Sequence, residues 1–323
     1  MTIWKQLHKI RIGCRQGLQI IFAYTNTKPN DLTRLLAHFY TNQAQKRTDT
    51  RKKHRPEFDH ILSDIQNSVV AQAIKTSKSK LRIVELGCGD GRFADYLDQH
   101  LHIPFSYVGV DCAKGLISIA QEREYKHDVS FLVGDMTGYL ESLTQESVDI
   151  IISIASIQHL HKSARQACRN NAYRVLKYEG LHITTNRSYS RWMLHKHRDM
   201  MIIGFILQLL NGKTFGRHDY MIPFKTPIGK EEYNIRNQPV IVSVAKQSKQ
   251  HDIATSQEKT KQGIHTSYRF YHIYLLGELI TRARTAGFVV QTATYVSAEG
   301  ILIDNRKNSR NTYIVAVKDV GLE

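Results

Sequence analysis

One nine-residue stretch, Ile83-Val84-Glu85-Leu86-Gly87-Cys88-Gly89-Asp90-Gly91, limits the possible folds of this chain more than any other. A short apolar run leads straight into three glycines at alternate positions, and an amphipathic segment, residues 92–100, follows. Glycines in that position let the chain turn sharply at the end of a strand and let a ligand pack against bare main chain. The stretch therefore predicts strand, tight turn and helix, with a binding crevice at the strand's carboxyl end.

The alternation continues along the chain. Residues 83–86, 107–110, 129–133, 148–154 and 181–184 read as buried strands, separated by helical stretches at 92–100, 114–123 and 162–176. A helix at 275–286 and strands at 288–296 and 312–317 complete the pattern, the last two being close enough in sequence to form an antiparallel pair at one edge. The expected fold is α/β, a doubly wound, mostly parallel, seven-stranded, Rossmann-like sheet with an antiparallel edge strand. A basic leader, 1–30, precedes a single domain, 31–323, which carries an insert at about 188–267. Before the sheet, Leu32, Leu35, Leu36 and Phe39 give a helical spacing, residues 41–55 are polar and basic, and a second helix should start at Pro56 and run through Phe58, Ile61 and Ile65. Within the insert lie an apolar stretch at 200–210 and a polar run at 246–262 that reads as an exposed loop.

The acids around the glycine turn narrow the ligand. Asp111 follows the second strand and is placed to accept hydrogen bonds from ribose hydroxyls. Asp135 and Met136 follow the third, an acid for an adenine amino group and a thioether to cover the ring. A nicotinamide enzyme would show Gly-x-Gly-x-x-Gly, but here the spacing is Gly-x-Gly-x-Gly, with Arg92 where that fingerprint needs glycine. Asp90 would also repel a pyrophosphate at the helix N-terminus, whereas S-adenosyl-L-methionine carries no phosphate. The expected cofactor is S-adenosyl-L-methionine, held by Glu85, Gly87, Gly89, Gly91, Asp111, Asp135, Met136 and Ser153.

Composition bounds the partners. A formal charge of +16 and a pI near 9.6 favour a polyanionic partner, nucleic acid or an anionic membrane face, without choosing between them. The four cysteines, Cys14, Cys88, Cys112 and Cys168, form no Cys-x-x-Cys pair, which argues against a zinc ribbon or a disulfide framework and for a cytoplasmic, reduced protein with no metal. The longest apolar stretch falls short of the ~20 residues a bilayer span takes, so stable membrane insertion is not expected.

On the acceptor side, Ser153-Ile154-Ala155-Ser156-Ile157-Gln158-His159 follows the fourth strand and Arg165 lies on the next helix. A second cluster, Tyr268-Arg269-Phe270-Tyr271-His272, follows the insert: Arg269 can grip a carboxylate or phosphate, and Tyr271 can stack on a base. These segments resemble the tRNA wobble-uridine carboxymethyl methyltransferases. The resemblance runs through Thr50-Arg51 with Pro56 and Phe58, the Ser153 stretch with Arg165, Asp219-Tyr220-Met221-Ile222-Pro223-Phe224, and Arg269 to His272 with Gly277-Glu278-Leu279. It covers roughly residues 31–290. The departures are Arg55, Gln158 and Gln166 in place of a Trp, a His and an Arg, and Thr184-Thr185-Asn186-Arg187 where that family has Tyr-Val-Trp-Ala.

The resemblance implies esterification of a carboxymethyl group on tRNA, with a small zinc-ribbon activator subunit as a partner. A carboxylate acceptor is ionised at neutral pH and needs no strong base, so catalysis would rest on placing it in line with the leaving sulfur. His159, Arg165, Arg269, Tyr271 and His272 are the expected catalytic residues, with Arg51 and Arg187 binding substrate. Two other readings stay open: a methyltransferase for a small-molecule or lipophilic substrate, and a non-catalytic protein with the cofactor fold.

Overall fold

β-Branched and aromatic residues build the centre of the molecule. Strands β1 (Leu81–Leu86), β2 (Phe105–Asp111), β3 (Asp128–Val133), β4 (Val148–Ile154) and β5 (Leu176–Arg187) lie parallel in the order β3-β2-β1-β4-β5. The computed structural model describes residues 31–50, 55–77, 79–191, 193–198, 201–202, 218–227 and 264–319. The leader, Arg51, residues 203–210 of the apolar stretch and the polar run 246–262 lie outside the described residues.

Helices cover both faces of the sheet. On one, Phe58, Ile61 and Ile65 of α3 (Glu57–Asn67) and Phe93 and Leu97 of α5 (Arg92–His100) pack on Ile83, Ile150, Ile152 and Ile183. On the other, Cys168, Ala172 and Val175 of α8 (Lys162–Val175) and Leu279 and Ala283 of α9 (Leu276–Thr285) meet Val84, Leu86 and Ile151. Strands buried on both sides explain the near-continuous apolar runs in the sequence. Two helices, α4 (Val69–Lys75) and α7 (Met136–Ser142), are at seven residues each too short for a readable period, and α6 (Lys114–Gln121) falls where expected.

The two late strands pair antiparallel at the far side of the sheet, as expected, and the strand count differs. There are eight strands, the order continuing β5-β10-β8-β9, with β8 (Val289–Val296), β9 (Leu302–Ile303) and β10 (Asn311–Val317). β10 runs antiparallel between β5 and β8, so it is an inserted strand and not the edge. The edge is β9, two residues from the β8–β10 connection that fold back onto Tyr295 and Val296. A two-residue strand has no periodicity for the sequence to show.

The insert contributes a hairpin, β6 (Asp219–Pro227) and β7 (Ile264–His272), paired antiparallel as a separate two-stranded sheet. A main-chain bond from Ile273 N to His218 O at 2.9 Å extends the hairpin, and one from Tyr274 N to Arg187 O at 3.0 Å joins it to the end of β5. Met193, Met201, Tyr220, Ile222, Tyr271 and Ile273 form an apolar cluster beneath it. At the front, α1 (Leu32–Asn42) and α2 (Ala44–Asp49) lean on α6 through Ala44 and Leu116. Because β2 and β4 flank β1 on opposite sides, the crossover direction reverses there, and the crevice opens at the carboxyl ends of those strands.

Candidate functional site

The glycine turn forms the crevice floor. Gly87, Gly89 and Gly91 have φ of +77°, +59° and +74°, a left-handed backbone that side chains rarely adopt. At Gly87 there is also no room: a Cβ would fall 2.3 Å from Ser156 Cβ. Ser156 Oγ donates to Leu86 O and accepts from Ser153 Oγ at 2.7 Å. Ser153, fully buried, thus sits beneath the floor and fixes Ser156. Above the turn lies about 700 Å³ of empty space, mouth included, lined among others by Glu85, Asp111, Arg47, Arg55, Tyr40 and His159.

Each acid has a distinct environment. Asp111 Oδ2 accepts from Gly89 N at 3.0 Å and Oδ1 from Ala113 N at 2.8 Å, so it ties the turn to β2 while facing the crevice. Burial raises its pKa and those two N–H groups oppose the rise. Asp135 caps α7, accepting from Gly138 N at 2.9 Å, and is exposed. Met136 Cε reaches within 3.7 Å of where a Gly87 Cβ would lie, at the crevice lip. Asp90 accepts from Arg92 Nε at 3.1 Å and from Thr48 Oγ1 at 2.9 Å, which pins α2 over the turn.

Glu85 is the buried acid of the site. Tyr107 OH donates to it, yet burial raises its pKa to about 8. A methionyl end carries both an ammonium and a carboxylate, and Glu85 with Arg55 in one crevice offers an acid and a base to match. The zwitterion therefore fits the residues present. The raised pKa has a consequence for stability. Glu85 favours the fold fully below its unfolded value of about 4.5, and this contribution is lost as pH rises through about 8. Glu85→Gln should raise the melting temperature of the ligand-free protein by at least about 3 °C at pH 9, with the gap closing towards pH 5. It should also weaken S-adenosylhomocysteine binding, which calorimetry at pH 7.5 measures.

Beside the cofactor end lies a cationic and phenolic cluster from four parts of the chain. Arg269 on β7 donates from Nη1 to Tyr40 OH at 3.2 Å and lies against the rings of Phe39, at 5.1 Å, and Tyr271, at 5.3 Å. Arg47 on α2 covers the Tyr40 ring at 4.4 Å. His159, in a turn of 3-10 helix after β4, donates Nδ1–H to Phe270 O at 2.8 Å, leaving Nε2 to accept from Tyr40 OH at 3.4 Å. Burial, followed by repulsion from Arg269, Arg47 and Arg187, lowers its pKa to about 3, against one hydrogen bond that raises it. His159 is thus a neutral acceptor and not an orienting cation. Burial pushes the Tyr271 phenol up, but Arg269, Arg187 and Arg47 outweigh it and the net shift is downward. Burial lowers Arg47 and Arg187 as well, and Arg269 adds repulsion at both. The cluster is a positive pole.

Two expected catalytic residues lie elsewhere. Arg165 donates to Leu160 O at 2.6 Å and to Asp219 Oδ1 at 3.1 Å. His272 puts Nδ1 at 2.5 Å from Asp219 and Nε2 at 3.1 Å from Glu278 Oε1. Both ring nitrogens face carboxylates. Burial notwithstanding, hydrogen bonds from His218 and His272 hold Glu278 well below the usual carboxylate range. Arg165 and His272 therefore fasten the hairpin to α8 and α9 and do not face the crevice. Tyr40, Arg47 and Arg55 escape a sequence reading because only the fold brings the basic segment across the turn. The density of basic residues within 41–55 was the available signal.

The sheet order, the left-handed glycine turn and the acids over the strand ends define a Rossmann-like class I methyltransferase architecture. Residues 83–180 match the family model of the methyltransferase domain. The chain is 36% identical over 105 residues to a malonyl-[acyl-carrier protein] O-methyltransferase of Bacillus cereus, covering 32% of this chain and 36% of the relative. It is 31% identical over 151 residues to phthiotriol/phenolphthiotriol dimycocerosates methyltransferase 1 of Mycobacterium ulcerans, covering 47% of each. The chain thus spans between about a third and a half of the length of these curated relatives. Its fold is shared with the Burkholderia thailandensis 1,6-didemethyltoxoflavin-N1-methyltransferase, solved with S-adenosylhomocysteine, at a TM-score of 0.51 and 11% identity over 91% of both chains. No helix among the described residues is long and apolar enough to cross a membrane. No group of three His, Cys, Asp or Glu able to hold a metal ion occurs among them either.

Proposed function

We propose that this chain esterifies a carboxylate on a small or carrier-bound acceptor, with S-adenosylmethionine as methyl donor. The supporting observation is the positive pole of Arg47, Arg187 and Arg269 around Tyr40, Tyr271 and the neutral His159, next to the glycine turn. The cofactor would be held by Glu85, the glycine turn, Asp111 and Arg55, and it supplies a methyl group on a sulfonium. Arg269, fixed by Tyr40 and by two aromatic faces, presents N–H groups in one orientation to a carboxylate. His159, being neutral, neither competes as a cation nor takes the substrate's charge. No base is required of the protein because a carboxylate with a pKa near 4 is already ionised. The relative that acts on malonyl-[acyl-carrier protein] supports this reading, as a malonyl group offers a free carboxylate.

The apolar cluster next to Tyr271 would suit a lipophilic portion of such an acceptor. RNA is the second acceptor, favoured by the +16 charge, since a carboxymethyl group on a wobble uridine is also a carboxylate. A zinc-ribbon activator subunit goes with that second reading. Methyl-labelled cofactor incubated with small-molecule, protein and RNA fractions separates the two. Base-labile label in the first or second fraction supports the proposal, and label released by ribonuclease replaces it with the RNA reading. Retention of S-adenosylhomocysteine binding with label in no fraction would sink both. With the acceptor in hand, Arg269→Gln is expected to lower kcat/KM about 100-fold while S-adenosylhomocysteine affinity stays within about twofold.

A further inference from the structure

A basic surface lies outside the crevice and abuts the acceptor cluster through Arg187. It forms where two stretches meet at the carboxyl end of β5, residues 187–198 and 304–310. Because β10 runs antiparallel to β5, pairing of Asn311 with Arg187 brings the 304–310 turn to the same end of the sheet as the glycine turn. Hydrogen bonds lock the two stretches together. Ser188 N donates to Arg310 O at 3.3 Å, Arg187 Nη1 donates to the same oxygen at 3.4 Å, and the Ser188 and Ser309 hydroxyls lie 2.7 Å apart. Ser309 N closes the turn onto Arg306 O at 3.2 Å, and the Arg306 guanidinium lies 5.6 Å from the centre of the Tyr189 ring.

Six cations on these stretches are exposed, Arg191, Lys196, Arg198, Arg306, Lys307 and Arg310, and Asp304 is the one acid in the same residues. Such a one-signed cluster repels itself and gains when a partner supplies negative charge. The helical residues 193–198 carry the surface up to the acceptor cluster. His197 registers this, its pKa lowered to about 4 by burial first and then by Lys196, Arg187 and Arg269.

Two further features select the kind of anion. Among the described residues of both stretches no aromatic ring is exposed, and the half-buried Tyr189 lies against Arg306, so the bases of a nucleic acid find no stacking platform. Beside the turn, Ile301 and Leu302 at the β9 edge are 62% and 40% exposed. Leu302 pairs with Val296, whose carbonyl accepts from Arg310 N at 2.7 Å, so these two aliphatic side chains border the cations. An apolar spot rimmed by arginines matches the make-up of a protein interface.

We propose that this surface docks an acidic protein that carries the acceptor on an arm, with Arg191, Arg306, Lys307 and Arg310 meeting its carboxylates and the arm passing Arg187 to reach Arg269. The proposal rests on the carrier-bound form of the carboxylate reading above. Docking holds the acceptor by its carrier, so discrimination falls on the surface, and the pocket needs to read little beyond the carboxylate.

Fluorescently labelled acyl carrier protein, titrated into the complex with S-adenosylhomocysteine, is the probe. It should bind, and raising salt from about 50 to about 300 mM should weaken it at least tenfold. The triple variant Arg191→Glu, Arg306→Glu and Lys307→Glu should lose at least tenfold of that affinity and keep S-adenosylhomocysteine affinity within about twofold. Lys75→Glu with Lys126→Glu, two exposed cations elsewhere on the molecule, should change carrier affinity less than about twofold. Absence of binding, or equal losses in both variants, overturns the proposal. So does binding of transfer RNA or of phosphatidylserine vesicles that the triple variant abolishes while carrier affinity is unaffected. The malonyl thioester of N-acetylcysteamine, a carboxylate with no carrier, separates the two readings. Its esterification by wild type and triple variant alike keeps the carboxylate reading when docking fails, whereas no transfer to it or to malonyl-[acyl-carrier protein] strikes that reading itself.

Discussion

Gly87→Ala should abolish cofactor binding. Alanine at φ +77° costs about 1–2 kcal/mol from backbone strain alone. The larger effect is steric. The new Cβ would lie 2.3 Å from Ser156 Cβ and 2.8 Å from its Oγ, so either the turn or the β4 end must shift. Ser156 cannot yield freely, because it donates to Leu86 O and is held from below by Ser153. Together these cost about 3 kcal/mol or more, equivalent to at least about a 100-fold loss of S-adenosylhomocysteine affinity. Calorimetry provides the measurement. An affinity within threefold of the wild type would show that the turn does not carry the cofactor.

The second large effect is expected at Asp219. Its carboxylate is completely buried and accepts from both Arg165 and His272. Asp219→Ala removes the acceptor shared by the Arg165 guanidinium and the His272 ring, and breaking a buried pair in this way costs about 3–5 kcal/mol. The melting temperature should fall by about 10 °C. Asp219→Asn, which keeps an acceptor oxygen, should fall less. Cofactor affinity should change little in either variant, because the fastened hairpin carries Arg269 and Tyr271 and not the glycine turn. A melting temperature within about 2 °C of the wild type would show that the hairpin is held by its apolar contacts alone.

Much of this molecule is legible in its sequence, for definite physical reasons. Strands buried on both faces show as apolar runs, and β4 is read residue for residue as 148–154. The helix after Pro56 is signalled by proline at its start and by the spacing of Phe58, Ile61 and Ile65. The glycine turn is legible because side chains rarely adopt its backbone and, at Gly87, a Cβ would collide with Ser156. What stays hidden depends on contacts between residues far apart in the chain. Arg165 and His272 have the residue types of a catalytic pair, and nothing local reveals that Asp219 and Glu278 claim them. His159 looks like a titrating group, but the surrounding arginines and its burial keep it neutral. Tyr40 lies beside the apolar spacing of Leu32, Leu35, Leu36 and Phe39 without belonging to it, and its hydroxyl acquires a role when Arg269 and His159 arrive from 229 and 119 residues away. Position in the sheet is hidden too, since β10 and β8 swap their chain order only through pairing.

The α1–α2 segment touches both halves of the site at once. Thr48 bonds Asp90 beside the glycine turn, while eight residues earlier Tyr40 bonds Arg269 and His159 in the cluster we propose for the acceptor. Donor and acceptor pockets are thus not separable modules. A chimaera that takes the β6–β7 hairpin from a relative to change acceptor preference would lose the Tyr40 contact unless the front helices came with it. Exchanging those helices alone would in turn disturb the glycine turn. Specificity in this scaffold is inherited as a pair of segments more than two hundred residues apart, and recombination or design has to move them together.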